Sequence, residues 1–526
     1  MNVAARGPCD EGVLRAQAST PCSRAAGRSV LAATVLGSSM AFIDMTVVNV
    51  ALPVLQKDFR ASVSAVQWVV EAYALFLASL VLVGGSLADR FGRRRIFSVG
   101  VALFAVSSAA CGLAPGVGWL VAARAVQGVA GALLVPSSLA ILGSSFSARE
   151  RGRAVGTWSS LTSVAGAIGP VAGGWLVQVA SWRAVFFINL PIAATILFIT
   201  ARKVPETRNP SAGRLDLRGA VAATLGFAGL VFGLIEAPVA GWASPRVWAP
   251  LAASVVALAL FAWIEAKSTH PTVPLRLFRI RNFAGANLLT LFLYAALAAT
   301  FFLLPFELIQ ARGYSPSGAG AAMLPLIVLI SSLSRPAGAL ADRIGPHLPL
   351  TVGPAVAAVG FLLLSMPPAD HFRWVTALLP ALIVLGLGMA TTVAPLTATV
   401  LNSVSEQDTG LASGINNAVA RVAGLVAIAA FGVVASGVFD SALDRRLSES
   451  GMPALAAKIP PAERRKLGAA QAPPGATGRE SREVRQAIAG ALTDSFQVSM
   501  RIAAGLAVLS SVCALTLIRS PRPGRR

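Results

Sequence analysis

Asp44, Glu71 and Arg124 stand inside long apolar runs of a 526-residue sequence. On insertion scales each such charge costs roughly 2.5–3.5 kcal/mol in a bilayer, and charges of this kind usually line a cavity or pair with one another. Asp44 lies nine residues before Pro53, which is about 13 Å inward at 1.5 Å per residue. Glu71 and Arg124 each lie about six residues inside the outer start of their runs, or about 9 Å. The three therefore share one depth in the outer half, where mutual pairing would lower the burial penalty. A carboxylate held between burial, which favours the neutral acid, and a guanidinium, which favours the anion, is poised to take up and release a proton. Asp44 is the expected main proton carrier, Glu71 a cation-sensing or second proton group, and Arg124 their counter-charge. The alternative is a static ion-pair cluster that fixes packing.

Gln127, Gly128 and Gly131 follow Arg124 at helical spacing and share its face. Gln127 can hydrogen-bond across a helix interface there, while the glycines let another helix approach. In the C-terminal half, Glu307, Asn416, Asn417 and Arg421 are candidate substrate-cavity residues. Glu307 lies near an outer helix end, so an interfacial position is the alternative for it. Arg421 sits about 17 Å deep by helical rise, too deep to reach the interface comfortably. The three histidines (His270, His347, His371) fall in separate loops. No nucleophile elbow, phosphate loop or metal-ligand spacing appears. That argues against an enzyme, a resident metal or cofactor, and an ATP-driven pump. Cys9, Cys22, Cys111 and Cys513 show no paired spacing.

The elements that must hold these residues follow from composition. Hydrophobic residues make up 55% of the chain and charged residues only 13%, against about 25% charged in an ordinary soluble domain. Mean hydropathy is +0.70. A water-soluble fold could not hide that much apolar surface, so the chain reads as a polytopic membrane protein. Its formal charge of +21 would suggest nucleic acid in another setting, but the arginines fall in short gaps between apolar runs, where membrane topology explains them.

A spanning helix needs about 20 mainly apolar residues. That ruler yields fourteen candidates, at roughly 30–53, 65–87, 96–114, 118–143, 153–178, 183–201, 217–237, 247–265, 284–311, 318–340, 348–367, 374–401, 410–436 and 497–518. Arg90 with Arg93, Arg94 and Arg95, then Arg149, Arg151 and Arg153, Arg214, and a tail with Arg522, Arg525 and Arg526 bias one side. The positive-inside rule puts that side, and both termini, in the cytoplasm of a cell-membrane protein. The expected organisation is a cytoplasmic tail (1–28), a six-helix bundle (29–201), two extra helices with linkers (202–282) and a second six-helix bundle (283–526). The second bundle includes a polar, extracytoplasmic loop at about 437–495, read as flexible in its Pro/Gly-rich middle with a short helix after Ser481. Lipid, protons and a small lipophilic or cationic ligand are the expected partners of a monomer.

The stretch GSLADRFG from Gly85 returns as GALADRIG from Gly338. Both copies follow the second helix of a six-helix block, and such repeats are typical of secondary transporters. The second copy is eroded, with Pro346 and His347 where the first has arginines. Gly85, Asp89, Arg90, Gly92 and Arg93, with Asp342 and Arg343 in the second copy, are the candidate gating residues.

GGSLADRFGRRR (Gly84 to Arg95) resembles the cytoplasmic loop signature of the major facilitator superfamily. FIDMTVVNVALP from Phe42 resembles the first-helix motif of its fourteen-helix drug:proton antiporter branch, and RAVQGVAGALLVPSSLAIL from Arg124 its fourth-helix motif. AGAIGPVAGGWL from Ala165, with Gly166, Gly169, Pro170, Gly173 and Gly174, is similar to the antiporter motif of the fifth helix. GLASGINNAVARVAG from Gly410 resembles that branch's late-helix pattern. The resemblance implies an all-α, 6+2+6 transporter that exports lipophilic or cationic drugs in exchange for protons. It also implies a switching contact at Asp89 and Arg90. The alternatives are an exporter dedicated to one metabolite or antibiotic, and a transporter-like sensor. FELIQ around Glu307 departs from the aromatic expected there.

Overall fold

The computed structural model describes residues 24–146, 148–208, 217–268, 271, 273–366, 373–405 and 408–519. Cys9, Cys22, Arg214, His270, His371, Arg522, Arg525, Arg526 and the side chains of Arg149, Arg151 and Arg153 lie outside the described residues. Among the described residues the chain is helical without strands. This is what apolar runs in a bilayer require, because every backbone N–H and C=O must find a partner within its own segment. Polar side chains inside the runs obey the same constraint. Thr290 Oγ1 donates to Ala286 O (2.8 Å) and Thr399 Oγ1 to Pro395 O (2.7 Å), each on its own helix.

The helices in order are α1 (Arg24–Phe59), α2 (Val63–Phe91), α3 (Arg93–Gly112), α4 (Val117–Ser145), α5 (Ala148–Val179), α6 (Ala184–Phe187) and α7 (Asn189–Lys203). The next pair is α8 (Leu217–Ala240) and α9 (Pro245–Lys267). There follow α10 (Arg281–Phe306), α11 (Pro316–Ala322), α12 (Leu324–Ile344), α13 (His347–Leu364), α14 (Leu379–Asn402) and α15 (Thr409–Glu449). Two short helices, α16 (Pro453–Lys458) and α17 (Pro461–Arg464), precede α18 (Gly478–Leu517). Thirteen helices among the described residues are long and apolar enough to span a membrane. Where a further span was expected, at 153–178, α5 contributes only the shorter apolar stretch Val164–Val179.

The chain divides into two compact units. The first comprises 1–48, 72–225 and 260–272, and the second 49–71, 226–259 and 273–526. The core of the first unit is apolar, with Met40, Tyr73, Phe97, Phe104 and Leu134 fully or almost fully buried. In the second, Phe283, Phe302, Phe361 and Phe439 play that part.

The polar segment at 437–495 departs from the expected flexible loop. Helix α15 continues to Glu449, and α18 begins at Gly478 and runs unbroken for 40 residues into the last span. Such a helix is about 60 Å long, twice the hydrocarbon thickness of about 30 Å. Ion pairs explain why the polar stretch is ordered. Asp494 accepts from Arg446 at both carboxylate oxygens (2.9 and 3.1 Å) and from Arg445 Nη2 (2.8 Å). Leu443, Leu447, Leu455, Leu467 and Val484 are buried. Thr477 and Glu480 form a reciprocal capping box that starts α18. The segment also meets the α1–α2 turn, which lies in the same unit: Val63 N donates to Arg465 O (3.0 Å) and Gln56 Nε2 to Lys466 O (2.9 Å).

Candidate functional site

In the first unit Asp44 is completely buried on α1, and three other helices aim polar groups at it or its partners. Arg124 Nη1 on α4 makes a close ion pair with Asp44 Oδ2. Gln127 Nε2, one helical turn along α4, donates to Asp44 Oδ1 at 3.0 Å. Asn189 Nδ2, at the start of α7, donates to the same oxygen at 3.0 Å. Arg124 Nη1 also donates to Gln127 Oε1 (2.8 Å). Asn189 Nδ2 reaches Ser108 Oγ on α3 (3.0 Å), and that hydroxyl donates to Phe186 O (2.8 Å). The Arg124 guanidinium lies over the Tyr73 ring at 4.3 Å, a cation–π contact that lessens the penalty of burying it.

This arrangement ties the protonation state of one carboxyl to the orientation of its neighbours. The Asp44 carboxylate accepts from one guanidinium and two amides, so it is satisfied as an anion. Protonation converts one of its oxygens from acceptor to donor. A proton on Oδ1 would require a facing amide to turn, and Gln127 can offer Oε1 in place of Nε2. Cys111 reports on the same amide: its Sγ lies 3.7 Å from Gln127 Oε1.

Glu71 does not join the pairing expected of it. It is fully buried on α2, and neither carboxylate oxygen accepts a hydrogen bond. Shared depth along a helix does not set the direction in which a side chain points.

Close helix contacts surround the network. A Cβ at Gly128 would lie 2.5 Å from Tyr73 O, and one at Gly131 would lie 3.3 Å from Leu77 Cδ1, so α4 rides tightly on α2. On α5, Cβ atoms at Gly166, Gly169 and Gly173 would meet Phe42 (3.7 Å), Thr46 Oγ1 (1.9 Å) and Val47 O (2.9 Å) of α1. Pro170 and Gly174 are buried beside them. The α1 segment carrying Asp44 is therefore pressed against the glycine face of α5.

At the α2–α3 turn, Asp89 accepts from Arg93 Nε (2.8 Å) and Nη2 (2.7 Å). Arg90 lies over the neighbouring Phe91 ring at 5.6 Å. The N-terminus of α3 is capped by a residue the sequence reading did not select. Glu206 Oε1 and Oε2 accept from the backbone N–H groups of Arg94 and Arg95, each at 3.0 Å. Gly92, at φ 111°, is where a side chain would collide with that carboxylate, its Cβ lying 2.6 Å from Glu206 Oε1. Replacing Glu206 by alanine is expected to cost about 0.5–2 kcal/mol, as for other lost N-caps. It should speed deuterium exchange at the Arg94 and Arg95 amides while sparing the middle of α3. Asp342 and Arg343 of the second copy are exposed and make no ion pair among the described residues.

The C-terminal candidates do not form one cluster. Asn416 Nδ2 donates to Thr290 Oγ1 (2.7 Å) and Asn287 Oδ1 (3.2 Å), joining α15 to α10. Asn417 Nδ2 donates to Ser413 O of its own helix (3.0 Å). Arg421 is half-buried one turn further along. Glu307 sits at the far end of α10, 20 residues beyond Asn287, about 30 Å away by helical rise. Among the described residues no group of three or more His, Cys, Asp or Glu side chains is placed to hold a metal ion.

Asn189, Ser108, Tyr73 and Glu206 are not among the residues expected from the sequence. The first three are uncharged, so a search for buried charges does not reach them. Glu206 does carry a signal: an acid directly after the basic end of a span, in RKVPETR.

The Major Facilitator Superfamily signature matches residues 34–428. The tetracenomycin C resistance and export protein of Streptomyces glaucescens is 32% identical over 515 residues, covering 97% of this chain and 95% of its own. The multidrug resistance protein Stp of Mycobacterium tuberculosis (strain CDC 1551 / Oshkosh) is 35% identical over 421 residues, 80% of this chain and 78% of that one. A solved structure of a bacterial homolog to the human lysosomal transporter Spinster, inward-facing and unoccupied, covers 95% of this chain and 100% of its own. Its TM-score is 0.65 at 19% identity, a likeness of fold.

Proposed function

Because the chain belongs to the major facilitator superfamily, we propose that it exports small lipophilic or cationic drugs or antibiotics in exchange for protons. The substrate class is supported by relatives named for multidrug resistance and for antibiotic resistance and export. The coupling is supported above all by one observation: a fully buried aspartate is held by an arginine, a glutamine and an asparagine from two other helices. Asp44 is the proton carrier in this reading, with Arg124 its counter-charge and Gln127 the group that senses its state. Glu71 is a second proton or cation-sensing group. Each proton entering contributes about 2.3 kcal/mol per 100 mV of membrane potential.

The transporter is a monomer in the cell membrane with both termini in the cytoplasm. Residues 29–201 and 283–526 are the two bundles of an alternating-access cycle, and 202–282 is the additional helix pair. Asp89, Arg90, Gly92 and Arg93, with Asp342 and Arg343, are the gating residues. The glycines of α5 set how closely α1 can approach during the cycle.

Purified protein in liposomes, loaded with ethidium and given an imposed pH gradient, tests this directly. Export that follows the gradient and stops when an ionophore collapses it is the expected result. Ethidium movement indifferent to the gradient would refute proton coupling. A second reading, an exporter dedicated to one antibiotic, is favoured by the relative that aligns along nearly both full lengths and is named for tetracenomycin C. Gradient-driven export of that compound, with ethidium ignored, would select it.

A further inference from the structure

We propose that Glu307 is a separate proton-exchange site in the second unit, drawing its proton from the polar cavity beside α18. The inference rests on the proton-coupled reading above and adds to it a carboxyl that lies far from Asn416, among different partners.

Glu307 opens a π-helical turn, Glu307–Ala311, at the end of α10. Such turns widen a helix locally and are frequent at functional positions. Here the turn folds Arg312 back on the carboxyl: Arg312 N donates to Glu307 O (3.0 Å), and Arg312 Nε donates to Glu307 Oε1 (2.7 Å). Thr493 Oγ1 of α18 donates to the same oxygen at 3.0 Å. The residue is only 2% exposed, and Oε2 is buried with no hydrogen-bond partner. The carboxyl is thus asymmetric. A proton on Oε2 displaces no hydrogen bond, while Oε1 keeps both of its donors in either state.

Among the described residues, polar access comes from one side. Glu307 lines a small cavity with Leu304, Leu364, Leu378, Phe496 and Gln497, to which α13 and the 374–378 turn contribute only the apolar Leu364 and Leu378. Arg312 and Thr493 line that cavity and also a polar one of about 470 Å³, whose walls carry Arg446, Glu449 and Glu483. A single layer, the two side chains that hold Oε1, separates Glu307 from polar space. In the exchange step the O–H bond at Oε2 breaks. The electron pair stays on the carboxylate facing Arg312, and the proton passes to water in the polar cavity. Asp494, beside Thr493, is held by Arg445 and Arg446.

Infrared difference spectra of the full-length protein in lipid, recorded across a pH step, test the site without substrate or gradient. A buried carboxylic-acid carbonyl band that Glu307→Gln removes is expected. Thr493→Val, which keeps the volume and deletes the hydrogen bond to Oε1, should move that band to higher frequency. A spectrum that Glu307→Gln leaves unchanged would overturn the proposal and make Glu307 a fixed partner of Arg312. In liposomes with ethidium as probe, Glu307→Gln should still export but move one proton fewer per turnover, whereas an unchanged proton count would remove Glu307 from the cycle. Because the spectral test needs no transport, it stands apart from any failure of the drug-export reading.

Discussion

Asp44→Asn abolishes gradient-driven ethidium export while leaving gradient-independent ethidium exchange measurable; this is the largest functional effect expected of any substitution in the chain. The side chains match in volume, so the loss is electrostatic. Two consequences follow from the geometry. First, the amide cannot carry a transported proton, and coupling fails outright. Second, Arg124, only 1% exposed, loses its anionic partner. Stranding one member of a buried pair costs about 3–5 kcal/mol, so the single variant should also be less stable. The double variant Asp44→Asn/Arg124→Gln separates these effects, because it removes both charges and leaves none stranded. If Asp44 and Arg124 serve only as a packing pair, the double variant recovers both stability and pH-driven export. If Asp44 carries the proton, the double variant recovers the thermal midpoint but not export. Coupling between the two substitutions in a double-mutant cycle reads the pair energy directly.

How much of this was legible in the sequence depends on the kind of signal each residue emits. Asp44 and Arg124 were legible because a charge in an apolar run demands a partner, and each turned out to be the other's. Asn189 and Ser108 complete the same network but are uncharged, and nothing local distinguishes them from packing residues. Glu71, placed at the same depth by residue count, accepts no hydrogen bond, since rise along a helix is readable from residue counts whereas azimuth depends on how helices pack. The ends of α15 and α18 differ from the expected loop for a related reason. A polar window looks alike whether it is a loop or a helix that outruns the bilayer, and the difference lies in long-range pairs such as Arg446–Asp494. Membership of the all-helical class needed only hydropathy and charge placement. Grouping Glu307 with Asn416 required a distance that only the fold supplies.

The signature at the C-terminal end of α2 yields the second large effect, on neighbouring glycines with opposite expected outcomes. A Cβ at Gly84 would lie 1.9 Å from Ala132 O and 2.7 Å from its carbonyl carbon. Both obstacles are backbone of α4, so no rotamer change relieves the clash and the two helices must separate. A Cβ at Gly85 would lie 3.5 Å from Pro136 Cβ, an ordinary contact. Gly84→Ala should therefore cost about 1–3 kcal/mol, the usual range for overpacking, seen as a thermal midpoint several degrees lower and reduced export. Gly85→Ala should leave the midpoint close to that of the unaltered protein. The comparison also tests what this signature does. If Gly84 acts through static packing, its penalty appears in stability and export together. If Gly85→Ala instead proves the more damaging to export at unchanged stability, then Gly85 is needed in a conformation other than the one described, where α2 and α4 approach through a different glycine. That result would move the gating function from the charged residues Asp89 and Arg93 to the helix crossing itself.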